Sequence, residues 1–180
     1  MANTIFGIAN SESQAANIIN QLQSVGFSRD DVSVLLSNKE GTTDFAVKHE
    51  TKAPEGAAAG ATTGGLLGGT LGWLVGVGSL AIPGLGPFIA AGPIMAALGG
   101  AAVGAAVGGL TGGLIGLGVP EYEAKRYESR LKQGGILISV RVYDDHHKDL
   151  AKKIFENAGA EDIAASSAIK VEHEEVRNRG

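Results

Sequence analysis

Asp144, Asp145, His146 and His147 stand in one run, and carboxylate next to imidazole is the material of a metal site or of proton transfer. A metal site needs three or four converging ligands, and the other histidines, His49 and His173, stand far away in the chain. The same four residues suit a helix N-terminus, where an aspartate accepts from free amides and the histidines stay at the surface. With no cysteine, thiolate chemistry and disulfides are excluded. The abundant glycines lack the preceding strand, the later acidic residue and the lysine that phosphate-binding loops require. No Ser-His-Asp order or carboxylate pair has a supporting context. The expectation is a protein that is not an enzyme and has no cofactor and no metal. Thr62, Thr63, Thr70, Ser79 and Thr111 are few hydroxyls with which to line a conducting pore, so a small pore or a ligand-sensing module stands only as a further alternative.

What would position any such group is set by a segregated composition. Across 180 residues the net charge is −4 with a pI near 5.5, which argues against nucleic acid as a partner. Mean hydropathy is +0.11, but from Gly56 to Pro120 there is no Asp, Glu, Lys, Arg or His. Residues 1–55 carry 7 acidic and 4 basic side chains, and residues 121–180 carry 12 and 11. The start, MANTIFGIANSES, has neither a basic n-region nor a long apolar run, so a cleaved leader is not expected.

The flanks predict two matching βαβ units. TIFGIA (4–9) is a strand; Ser11 with Gln14 has capping-box spacing; Ala15, Ile18, Ile19, Leu22 and Val25 recur at helical period; Gly26 ends the helix; and DVSVLLSN (31–38) is a second strand. ILISVRVYD (136–144), a helix to Asn157 with Leu150, Ala151, Ile154 and Phe155 on one side, Gly159, and EDIAASSAIKV (161–171) repeat the order. The expected fold class is α+β, a ferredoxin-like βαβ–βαβ sandwich. It is split between residues 1–55 and 120–171, with a tail at 172–180. Residues 120–133 read as a charged helix opened by Pro120, and Phe45–Val47 as a short strand.

Between the halves, residues 56–119 read as an inserted helical hairpin. Glycine falls at Gly56, Gly60, Gly64, Gly68, Gly72 and Gly76, and again at Gly100, Gly104, Gly108, Gly112 and Gly116. Pro83, Gly84, Gly86 and Pro87 mark the bend, which gives helices near 56–82 and 93–119. In water each interior glycine costs about 1 kcal/mol relative to alanine, so five or six would cost a sum comparable to a whole domain's stability. A bilayer enforces helix whatever the propensity, and a four-residue glycine spacing then makes a groove for close helix packing. The partners expected are other copies of the chain and membrane lipid. Two crossings leave both βαβ halves on one side. Lys48, Lys52, Lys125 and Arg126 make that side the cytoplasmic face of the inner membrane. The alternative is a soluble cytoplasmic particle with the hairpins buried inside.

The segments HETKAPEGAAAGATTGG, IPGLGPFIAAGPIMAALGGAAVGAAVGGLTGGLIGLGVPEYEAKRYE and GGILISV, with SESQAANIINQLQSVGFSRDDVSVLL before them, resemble bacterial general stress proteins of the 17M-like, YflT-domain type. Some of these are labelled low-temperature-induced proteins. The resemblance covers nearly the whole chain and implies a stress-response setting and a glycine-zipper hairpin, with no catalytic residues to carry over.

Overall fold

The computed structural model describes residues 3–37, 78–82, 86–100 and 102–167. The first glycine run (Gly56 to Gly76), Phe45–Val47 and the tail lie outside the described residues. In chain order the elements are β1 (Asn3–Ala9), α1 (Glu12–Ser24), β2 (Val32–Ser37), β3 (Gly78–Ile82), β4 (Gly86–Ala91), α2 (Pro93–Gly100), α3 (Ala102–Gly116), α4 (Glu121–Lys132), β5 (Ile136–Val142), α5 (Asp145–Asn157) and β6 (Glu161–Ser167). The fold is α+β. The strands form one antiparallel sheet in the order β3-β4-β2-β5-β1-β6.

The flanking helices form for the reasons their sequences state. Ser11 Oγ accepts from the Gln14 amide at 3.1 Å, and Gln14 Oε1 reaches back to the Asn10 amide at 2.7 Å. Ala15, Ile18, Ile19 and Leu22 turn inward, whereas Val25 is the C-cap and is exposed. Past it, Gly26 takes positive φ and the Phe27 amide closes onto the Leu22 carbonyl at 3.1 Å. In β1, Gly7 leaves the space that Phe155 of α5 fills: a Cβ there would stand 2.5 Å from the ring. Together α1 and α5 cover one sheet face, sealing Ile5, Val34, Ile138 and Val140.

The second face is also covered, by α2, α3 and α4. Phe6, Leu35 and Leu137 point to this side and are buried beneath Ile94, Leu98, Leu110, Leu114, Tyr127 and Leu131. The helix read only as charged thus contributes an inner stripe, Ala124, Tyr127 and Leu131.

Two expectations for residues 56–119 are corrected. Residues 78–82 and 86–91 are strands, so the end of the first expected helix and the bend become a β-hairpin, with Ile82 opposite Gly86 and Ala81 opposite Pro87. Pro83 and Gly84 lie outside the described residues; Gly86 and Pro87 open β4. The physical reason lies in β2. Its Val34 and Leu36 are buried on one face and Leu35 on the other, and its outer edge needs a hydrogen-bonding partner, which β4 supplies with Val34 opposite Ala91 and Leu36 opposite Ile89. The second expected helix, 93–119, is two helices, and the longer is broken at Gly109 (φ 60°, ψ −151°), a region open essentially only to glycine. Burial against the sheet offsets the glycine cost of these helices. A buried Leu or Met contributes roughly 1.5–3 kcal/mol against the ~1 kcal/mol cost of a glycine.

The charge-free helices bring no capping side chain of their own and borrow from the flanks. Ser33, the second residue of β2 and fully buried, accepts from the Ile94 amide in the first turn of α2 at 3.0 Å. Ser33→Ala leaves that amide buried without a partner, and the expected loss is about 1–3 kcal/mol, read as a shift in the chemical-denaturation midpoint with an unchanged slope.

Candidate functional site

The glycine positions of the second run separate into two kinds. Gly100 closes α2, and Gly104 and Gly108 lie in α3 ahead of its break. Gly112 and Gly116 lie beyond it, and a Cβ at either would meet nothing within 4 Å among the described residues. Between them, Ile115 is exposed. Gly113 does admit a close neighbour inside the chain: a Cβ there would stand 2.7 Å from Leu98 Cδ1 of α2. Gly113 is outside the four-residue rhythm; the signal for it was the doubled glycine Gly112-Gly113. Gly112 and Gly116 therefore form a small-residue face that no described residue covers, on a helix fixed to the sheet from behind by Leu110 and Leu114.

Glu128 of α4 holds that helix at its restart. One of its carboxylate oxygens accepts both the Thr111 amide at 3.0 Å and the Thr111 hydroxyl, and the other pairs with Lys132 at 2.8 Å. Thr111, one of the few hydroxyls of the charge-free block, serves this junction. Burial pushes the Glu128 carboxyl up, but the hydrogen bonds from Lys132 and Thr111 outweigh it and leave it below the ordinary value of 4.5. A carboxylate with a depressed folded pKa contributes stability that is fully present above the unfolded value and is lost as pH falls through the folded one. Glu128→Gln is therefore expected to lower stability at pH 7 and to flatten the decline in stability below about pH 4.5, measured by urea titration at a series of pH values.

A second cluster, which the sequence did not announce, joins α4 to β6. Asp162 is a non-glycine residue at φ 50°, beside a register shift between β1 and β6. Its carboxylate is 4% exposed and is held by Arg126 and by Arg130 Nε at 2.8 Å; Arg130 also pairs with Glu161 at 2.8 Å. The Tyr127 hydroxyl donates to the Asp162 carbonyl at 3.0 Å, and burial pushes its pKa well up, so it stays a neutral donor. Both arginines are more than a third exposed, so the cluster ties the second layer to the sheet without isolating a reactive group.

At the head of α5, Asp144 Oδ1 accepts from the His147 amide at 2.7 Å and Oδ2 meets His147 Nδ1 at 2.6 Å. The backbone hydrogen bond, then the side-chain one, hold Asp144 below its ordinary pKa. His147 stands edge-on to Phe27, so this run forms a helix cap. Among the described residues no group of three or more His, Asp or Glu is placed to hold a metal ion. Among the same residues no helix is long and apolar enough to cross a membrane. No protein-family model, curated protein or solved structure matches the chain.

Proposed function

We propose that this is a non-catalytic bacterial stress-response protein that works as a homo-oligomer, each copy pairing a glycine-faced helix with a helix of another copy. The observation that carries the reading is the open face of Gly112 and Gly116 beside exposed Ile115. Glycines four apart let two helices approach closely, and this pair meets no neighbour among the described residues. The resemblance to the general stress proteins supports the setting. The order β2-β5-β1-β6, with α1 and α5 on one face, supports a ferredoxin-like unit as the scaffold, extended at the β2 edge by the β3–β4 hairpin.

Two settings serve the same pairing. Attachment to the inner membrane rests on Leu66, Leu67, Leu71, Trp73 and Leu74, which lie outside the described residues. A soluble particle is favoured by the docking of α2 and α3 on their own sheet, with Ser33 and Glu128 capping them. Carbonate washing and flotation of native membranes, followed by sizing of the extracted or soluble protein, separates the settings. A monomer in both fractions would remove the proposal.

A further inference from the structure

We propose that the outer edge of β6 is a contact between copies of this chain, two β6 strands pairing antiparallel about Ala164 so that the sheets of two protomers run together. Among the described residues β6 ends the sheet, with β1 on one side and no strand on the other. Such an edge is ordinarily blunted by lysine, proline or a bulge. Here the register shift and the positive φ of Asp162 lie at the start of the strand, and residues 163–167, Ile-Ala-Ala-Ser-Ser, carry no charge and no proline. Ile163 and Ala164 are half-buried against opposite layers, and Ala165 is exposed.

The strand is complementary to itself. Turned about Ala164, Ile163 stands opposite Ala165, Asp162 opposite Ser166 and Glu161 opposite Ser167. No like charges face one another across the seam, and both carboxylates are already paired with Arg126 and Arg130. The twofold axis of such a pair stands perpendicular to the sheet, so α4 of each copy flanks the seam on the same face. α4 is tied to β6 at two points: the Gly118 carbonyl just ahead of it accepts from Ser166 Oγ at 2.8 Å, and Arg126 holds Asp162. Tyr122 stands halfway between these anchors in the chain, beside the middle of the strand, 70% exposed and with the Arg126 guanidinium 5.5 Å from its ring centre. The axis brings Tyr122 of both copies together, and tyrosine and arginine are residues that anchor protein interfaces. The twofold match of charges and the paired tyrosines select a second copy over an unrelated strand. The pairing is additional to the glycine face and does not rest on it. Five strand residues and one tyrosine a side fall short of the roughly 20–30 of a stable interface, so it is a weak contact that dilute protein does not keep.

The chain has no cysteine, so single introduced cysteines report the seam. Residues directly opposite in an antiparallel pair have Cα atoms about 4.5–5.5 Å apart, within reach of a disulfide; each Ala165, offset from its mate by two residues, is about 8 Å from it and out of reach. Oxidation of concentrated full-length Ala164→Cys protein is expected to give a disulfide-linked dimer about tenfold faster than Ala165→Cys, although Ala165 is the more exposed. Adding Tyr122→Ala should slow this trapping severalfold at an unchanged melting temperature. Adding Gly112→Leu should leave its rate within twofold, which separates the seam from the glycine face. Should Ala164→Cys not fold, mixed Ile163→Cys and Ala165→Cys proteins test the same register, the mixed disulfide forming faster than either like pair. Equal rates for Ala164→Cys and Ala165→Cys, or loss of trapping with Gly112→Leu, overturns the seam.

Discussion

Gly92→Ala is expected to lower the melting temperature by roughly 6–12 °C, the equivalent of about 3 kcal/mol in a chain of this size. Gly92 joins β4 to α2 at φ 89°, and a Cβ there would stand 2.3 Å from the Val32 carbonyl oxygen and 2.7 Å from Ser33 Cα. Those are backbone atoms of a central strand and cannot swing aside as a side-chain tip can. The left-handed conformation adds about 1–2 kcal/mol for any residue with a Cβ. Relief would require α2 to lift from the sheet, which withdraws the Ile94 amide from Ser33 and exposes Leu98. Differential scanning calorimetry measures the loss. A shift under 2 °C would mean that α2 is not seated on β2 as described.

Gly112→Leu and Gly113→Leu, one residue apart, are expected to fail in opposite ways. A Cβ at residue 112 meets no atom among the described residues, so with Gly112→Leu the folded protomer should keep its melting temperature within about 2 °C while the assembly dissociates, its apparent mass in light scattering falling to that of a protomer. Gly113→Leu drives a side chain into Leu98, and overpacking of this kind costs about 1–3 kcal/mol. That variant should lose stability and, where folded, still assemble. If Gly112→Leu leaves the assembly intact, the open glycine face is not the contact.

The two flanks were legible because their signals are local. Ser11 with Gln14, Gly26 before Phe27, Asp144 before His147 and the 3.6-residue spacing of Ala15, Ile18, Ile19 and Leu22 each set a boundary within a few residues. The coarse α+β class followed from them. β1, β2 and β5 are apolar at consecutive positions, as in Val34-Leu35-Leu36 and Ile136-Leu137-Ile138, a pattern that belongs to strands buried on both faces. It called for a second helical layer, which α4 and the charge-free block provide.

The sequence by itself set the middle of the chain apart, 65 consecutive residues without a charge and with 21 glycines, and pointed to its burial away from water. It also placed the capped helices and the strands around them. Where the middle goes was decided by tertiary structure: the bare edge of β2 draws residues 86–91 into the sheet, Gly109 breaks the long helix, and Ser33 and Glu128 receive the amides freed at each new helix start. These are contacts between residues 17 to 61 positions apart, and the periodicity of one segment carries no information about the hydrogen-bond acceptor another segment will offer it. The same holds for Asp162, whose positive φ and two arginine partners arise only once β6 and α4 lie side by side.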